Sequence, residues 1–465
     1  MTVSGVRSEK LLLLAVVVAI LMDSMDGSIV NIALPSIASD LGTDTASASW
    51  IVVSYLMVLA GLILLFGRIA DRGALRKVFV FGFGIFTAAS LFCGISDSFA
   101  MLLVSRILQG FGGAMLAAAA PMICVKYMPR EKLGLSLAVV TLGSSLGYAL
   151  GPPLGGMLTQ MLSWHWIFLI NVPIGLIAIP LALHAIPKDG ESSKEHVDLF
   201  GGMLLFAAIV TGILALEKAG NPEESVFVPI AAVACLGLLS LFIFRELECR
   251  APIIDVRIFG SGNFNSVFLA YLIFNIAYAG TFYLLPFYMS LVLGFTPGMS
   301  GMYLLIPSVV TGLTCLVFGR LSDRRGRRMF AVGACLSVAL YNAIMWFMMP
   351  ENGHWLLIPI TLLMGLSWGF AGGPMAGRVV EHAPEGHAGI GSSVMALSTY
   401  LGAGIGIALF AAVFSFSSGA PGKEFVLLEI SEFASGFSVV VVLGVLLALV
   451  GALLSFIVKD TVRSQ

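Results

Sequence analysis

Long apolar stretches separated by short polar ones run through the chain from end to end. Fourteen of them are long enough to cross a bilayer, near residues 11–35, 47–67, 78–96, 100–125, 134–158, 164–187, 199–217, 226–244, 264–290, 300–319, 329–349, 355–377, 389–415 and 434–458. A hydrocarbon core needs roughly 17–25 such residues per helix. Lipid offers no hydrogen-bond partners, so each run must satisfy its own backbone and is predicted to be α-helical. A membrane barrel would instead show short alternating segments. The first run follows Arg7 and Lys10 as a secretory signal would. No small-residue cleavage pattern follows closely, and apolar character continues through residues 29–34, so it is read as a retained helix. The expected fold class is an all-α integral membrane protein.

Composition strengthens this. Of 465 residues, 58% are hydrophobic and 11% charged, against about a quarter charged in soluble domains. The net charge is −1 and no basic domain stands out, which sets nucleic acid aside as a partner. The six cysteines, Cys93, Cys124, Cys235, Cys249, Cys315 and Cys335, follow no metal spacing and read as small buried hydrophobes. No metal and no cofactor is expected.

The placement of charge says more than its sum. With fourteen passes both termini lie on one side, and every basic residue except Lys218, Lys423 and Arg106 falls on that side. Excess Lys and Arg mark the cytoplasmic face, so cytoplasmic termini are predicted. Adding or deleting one pass would scramble the asymmetry.

An internal repeat organises the runs. Residues 67–77 read GRIADRGALRK and residues 319–328 read GRLSDRRGRR; Asp71 and Asp323 are 252 positions apart, as are Leu41 and Leu293. Six runs precede residue 190, six follow residue 260, and two lie between. The predicted division is 1–190 and 261–465 as six-helix bundles, with 191–260 holding two inserted helices. Parallel repeats of this kind characterise secondary transporters.

Four further patterns carry chemistry. Residues 22–35 read MDSMDGSIVNIALP, placing Asp23 and Asp26 on one helix face, with Asp23 about 18 Å into the span at about 1.5 Å per residue. Carboxylates inside a bilayer are costly and are functional candidates by default. Residues 105–113 read SRILQGFGG, embedding Arg106 and Gln109. An arginine keeps its proton, so Arg106 is expected to pair with one of the two acids. The fifth run contains Gly143, Gly147, Gly151-Pro152 and Gly155-Gly156, a small-residue face with a proline bend. The run from 264 carries Tyr271, Asn275, Tyr278 and Phe282 at helical spacing, a stripe able to line a cavity and hold flat cations. Asn31, Asn342 and Trp368 are weaker candidates of the same kind. Trp164 and Trp166 read as interface anchors, with His165 between them. Glu381 and Glu385 fall in a loop, so no intramembrane acid is expected in the last six runs.

These motifs together resemble those of the major facilitator superfamily, in its fourteen-helix branch of drug:proton antiporters. Gly319, Asp323, Arg324, Gly326 and Arg327 match the superfamily's loop pattern fully. Gly67, Asp71 and Arg72 keep the first copy, which carries Ala74 where the pattern has Gly. Gly147, Gly151, Pro152, Gly155 and Gly156 match the antiporter motif, Asp26 falls on the first-helix signature acid, and Arg106 opens the R-x-x-Q-G motif. The resemblance implies conformational roles for the loop and antiporter motifs. It implies proton coupling through Asp26 and Arg106; the extra acid Asp23 joins them by its position one turn away, and the polar and aromatic positions Asp26, Asn31, Gln109, Tyr271, Asn275, Tyr278 and Phe282 are the expected substrate contacts.

No phosphate-binding GK[ST] loop, HExxH or GxSxG pattern is present, which argues against an ATP-driven pump or an embedded hydrolase. The expected function is export of amphipathic, cationic compounds in exchange for protons. It would work by alternating access, as a monomer in a bacterial inner or plasma membrane. A dedicated exporter of one metabolite, antibiotic or lipid is the alternative, and a non-transporting receptor on the same scaffold a further one.

Overall fold

The apolar runs fold as helices whose ends are set by polar stops. The first seven are α1 (Val6–Asp40), α2 (Thr45–Ile69), α3 (Leu75–Gly94), α4 (Phe99–Tyr127), α5 (Arg130–Met161), α6 (Trp166–Leu169) and α7 (Asn171–Ala185). Two follow, α8 (Leu199–Lys218) and α9 (Phe227–Glu248), and then α10 (Gly262–Leu291), α11 (Pro297–Arg325), α12 (Arg328–Met345) and α13 (Gly353–Phe370). The last are α14 (Ala376–Glu381), α15 (Ala388–Ser417) and α16 (Ile430–Ile457). The computed structural model describes residues 6–189, 197–220, 226–249, 252–348, 353–383 and 388–458, and among these no strand occurs. Side-chain caps start several helices: Asp44 accepts from the Ser47 amide at 3.1 Å, and Thr296 from that of Met299 at 3.3 Å. Such caps satisfy amides that a helix leaves unpaired in its first turn.

Twelve helical stretches among the described residues are long and apolar enough to cross a membrane. One of them, Thr45–Gly94, is 50 residues long. It holds both α2 and α3, with a break at Gly73 (φ 105°). Leu, Ile, Val and Phe side chains cover the outside, as lipid requires.

Packing repeats the sequence repeat. In the first part α1 packs on α5 and α7, α2 on α4, and α3 on α4 and α7. In the last part α10 packs on α15 and α16, α11 on α13, and α12 on α13 and α16. The two sets match helix for helix. They meet along two seams, α5 against α11 and α2 against α15.

Besides a bond midway along α5 and α11, the hydrogen bonds described between the two sets gather toward one end, where α1 and α5 finish and α11 begins. There Gln160 Oε1 accepts from the Gly298 amide at 3.0 Å, and the Phe425 amide donates to Thr43 O at 3.1 Å. Tyr283 donates its hydroxyl to Thr45 O. A cavity of about 840 Å³ opens at this end, lined by Asp40, Trp164, His165, Ser290, Pro297 and Phe425 among others. Trp164, read as an interface anchor, is buried. Its indole donates to Asp40 at 2.8 Å and its ring stacks on His165 at 3.7 Å, whereas Trp166 is exposed.

Helices α8 and α9 sit at the other seam. α8 lies against both α2 and α15, and α9 lies against α8. Gly61 admits the Phe206 ring, and Gly220 lies on Ala412 O, where added methyl groups would stand at 2.5 and 2.7 Å. Asp198 caps α8 through the Gly201 amide (3.0 Å) and pairs with Arg245 of α9 at 2.9 Å. Burial opposes the charge on Asp198, but the Arg245 and Gly201 hydrogen bonds prevail and hold its carboxyl below the ordinary range.

Candidate functional site

Asp26 of α1 and Arg106 of α4 form an ion pair at 2.6 Å, and both are fully buried. The carboxylate is cradled on its other oxygen by Gln109 Nε2 at 2.8 Å and Asn171 Nδ2 at 3.1 Å. Gln109 also accepts from Arg106 Nη1 at 2.5 Å and donates to Ser90 at 2.9 Å. Arg106 Nε donates to Ile51 O at 2.8 Å. Helices α1, α2, α3, α4 and α7 thus converge on one charge pair. Sequence placed Arg106 and Gln109 three apart, hence on one face of α4. Asn171 and Ser90 were not singled out, since neutral polar side chains inside a helix carry no charge signal.

Asp23, one turn earlier, is separate from this pair. It is 7% exposed and accepts the hydroxyl of Tyr55. The Tyr55 ring lies under the Arg106 guanidinium, with its centroid 4.4 Å from Cζ. Tyr55 therefore touches both charged groups. Asp26 and Gln109, expected to meet substrate, are sealed from solvent in this conformation. Tyr148 (47% exposed) and the half-buried Tyr400 are within electrostatic reach of Asp23. That makes Asp23 the acid nearer the space between the halves. Asn31 is buried and donates to Gly27 O at 2.9 Å.

The antiporter motif joins α5 to two partners. Methyl groups at Gly147, Gly151 and Gly155 would stand 2.6, 1.9 and 2.7 Å from atoms of α1. The neighbouring face meets α11, with Gly156 on Pro297 O and Gly301 on Pro152 O. Pro152 has no amide to give the carbonyl of Tyr148 four residues back. The Ser308 hydroxyl of α11 donates to that carbonyl at 3.2 Å. In the second half Gly402 and Gly406 of α15 do the same for α10, facing Asn275 Cβ and Ile276 O at 2.7 and 2.3 Å. That pair was missed in the sequence because it lacks a motif.

At the loop motifs the turn glycine differs between copies. Gly326 takes φ 87°, while in the first copy Gly73 takes φ 105° and Ala74 remains at φ −98°. The left-handed residue stands one position earlier in the first copy, so the missing glycine at 74 is supplied next door. Asp71 is exposed, with Arg68 and Lys126 in electrostatic reach. Asp189 accepts from the Arg76 and Lys77 amides at 2.8 and 3.0 Å. In the second copy Arg327 reaches Glu381 at 3.6 Å. The side chain of Asp323 and all of Glu385 lie outside the described residues. Arg324 is exposed. Arg378 is buried and donates to Ser455 O and Val458 O at 3.1 and 2.7 Å, capping the end of α16.

The α10 stripe divides. Tyr271 meets Thr399 at 3.1 Å, and Asn275 bonds back to Tyr271 O at 2.8 Å, both buried against α15. Tyr278 stacks on Phe274 and Phe282 at 6.0 Å each, with Trp368 edge-on at 5.5 Å. Asn342 accepts from Thr281 at 3.1 Å and serves packing. Among the described residues no group of His, Cys, Asp and Glu would hold a metal ion.

A family model described as Major Facilitator Superfamily matches residues 16–407. The riboflavin transporter RibZ of Clostridioides difficile (strain 630) is 28% identical over 412 residues, covering 88% of this chain and 89% of the relative. A multidrug resistance protein B homolog of Mycobacterium tuberculosis (strain ATCC 25618 / H37Rv) is 29% identical over 406 residues, 86% of this chain and 75% of that one. The putative multidrug resistance protein MdtD of Salmonella paratyphi A (strain ATCC 9150 / SARB42) is 29% identical over 392 residues, 83% of each. A solved bacterial homolog of the human lysosomal transporter Spinster, inward-facing and unoccupied, aligns with a TM-score of 0.69 at 17% identity over 98% of both chains, a likeness of fold. The chain belongs to the Major Facilitator Superfamily: it is a multi-pass membrane transporter and not an enzyme.

Proposed function

We propose that this transporter is a proton-coupled antiporter that exports amphipathic, cationic compounds by alternating access. The observation that carries the reading is the sealed Asp26–Arg106 pair, gripped by Gln109 and Asn171 where five helices meet. A proton on Asp26 removes Arg106's counter-charge, and an uncompensated buried charge costs several kcal/mol. Packing among those helices must then change, which makes protonation a conformational signal. Relatives named as multidrug resistance proteins support export.

The chain crosses the membrane fourteen times in this reading. A helix of 50 residues would be about 75 Å long at about 1.5 Å per residue, over twice a bilayer core, so Thr45–Gly94 is two passes that turn at Gly73. α5 supplies the other additional pass. Residues 1–190 and 261–465 form the rocking halves around the inserted pair in 191–260, with both termini cytoplasmic. The protein works as a monomer in the cell membrane, driven by the proton gradient without a cofactor. The contacts at the far end of α1 and α5 hold the two halves together on the outer side, around the mouth of the cavity that opens there. Asp71, Arg72, Asp323 and the glycine faces of α5 guide the rocking.

A second reading has one specific support. The RibZ relative is named for riboflavin, and the Phe274–Tyr278–Phe282 stack with Trp368 would suit a flat neutral ring as well as a cation. Proteoliposomes with an imposed pH gradient separate the readings. Efflux of ethidium that is lost in Asp26→Asn supports proton-coupled drug export. Gradient-driven riboflavin transport without ethidium transport supports the dedicated carrier, and no gradient-driven flux of either compound overturns coupling.

A further inference from the structure

We infer that Tyr55 is the positioning residue that links the two α1 carboxylates, so that cation binding at Asp23 and the charge state of Asp26 are read by one side chain. This rests on the proton-coupled reading above. Tyr55 gives its hydroxyl to Asp23 and its ring face to Arg106, whose Nη1 holds Asp26 at 2.6 Å. The two acids are thereby joined through a phenol and a guanidinium.

The space for this side chain is built by other residues. A methyl group at Gly113 would stand 2.6 Å from the Tyr55 hydroxyl oxygen, and one at Gly110 would stand 2.8 Å from Tyr55 O. Phe86 holds the ring edge-on at 6.5 Å. One turn of α2 presents two groups to the same guanidinium, since Ile51 O accepts from Arg106 Nε at 2.8 Å and the Tyr55 ring lies beneath it. Arg106 therefore stays tethered to α2 when Asp26 is neutralised. A shift of the guanidinium carries the ring, and with it the hydroxyl on Asp23. Linkage makes the effect reciprocal: a cation that takes over Asp23 alters how Tyr55 supports Arg106.

Titratable groups face this unit from every side. Asp26 lies on the same helix, Arg106 on α4, Tyr148 on α5 and Tyr400 on α15, while Cys93 of α3 faces Arg106 and Asp26.

The test is ethidium binding to the purified full chain as a function of pH, for wild type, Tyr55→Phe and Gly113→Ala. Tyr55→Phe keeps the ring on Arg106 and removes only the donor to Asp23. Gly113→Ala keeps the donor and crowds it from its place. Both are expected to displace the midpoint of the pH profile by about half a unit or more, whatever happens to its amplitude. Midpoints that superimpose on wild type in both variants overturn the link, including where affinity falls. Asp26→Asn, run alongside, must itself abolish the pH dependence; if it does not, the coupling reading fails and not the Tyr55 link alone.

Discussion

A methyl group added at Gly147 would stand 2.6 Å from the carbonyl oxygen of Leu21. That oxygen is backbone, so neither helix can yield by turning a side chain. Overpacking of this kind costs about 1–3 kcal/mol. Gly147→Ala should lower the melting temperature of the purified protein and reduce ethidium efflux. Gly84→Ala, inside α3 where added bulk meets nothing within 4 Å, should leave melting unchanged or raise it slightly, by up to about 1 kcal/mol of helix propensity.

The shifted turn at the first loop motif gives a second contrast. Gly73 holds φ 105°, a region that costs a residue with a Cβ about 1–2 kcal/mol. Gly67, the motif glycine, sits in helical backbone with open space around it. Gly73→Ala should destabilise and slow transport. Gly67→Ala should be neutral or slightly stabilising, by up to about 1 kcal/mol of helix propensity. Thermal melts and efflux rates of the two variants check the order.

The aromatic stack around Tyr278 predicts a selectivity effect. Trp368 stands edge-on to both Tyr278 and Phe274, at 5.5 and 5.7 Å. Trp368→Ala removes one wall, and lost aromatic contact with a desolvated cation is worth about 2 kcal/mol. Ethidium affinity should fall by more than tenfold. An unchanged dissociation constant would place the substrate elsewhere.

Asp198 provides a pH prediction. Its folded-state proton affinity lies below the ordinary value of 3.8, so its pairing with Arg245 stabilises the protein above that value. The contribution is lost as pH falls through the lowered value. Asp198→Asn, which retains a cap, should melt earlier than wild type at both pH 7 and pH 5, with the gap closing only below about pH 3.8. A gap already absent at pH 5 would contradict the pairing.

Charge made the site legible. In a chain that is 11% charged, an acid or arginine within an apolar run has few explanations, so Asp23, Asp26 and Arg106 could be read directly. The residues around them could not. Tyr55, Ser90 and Asn171 are polar but uncharged, and helical spacing leaves open which face a lone tyrosine presents. The same limit explains why Tyr271 and Asn275 share a stripe with Tyr278 yet turn into α15. The antiporter glycines were readable through their spacing of four and Pro152, but Gly402 and Gly406 had only the spacing. Gly73 was missed because a fixed motif register pointed at Ala74, whereas the backbone needs a glycine near that turn and accepts either position.

The central claim is that Asp26 carries the exchanged proton. Its most direct test is proton release from the purified transporter in weakly buffered detergent solution when ethidium is added. The account predicts release by wild type, none by Asp26→Asn, and ethidium binding retained in both. Equal release from the Asp26→Asn variant would contradict it.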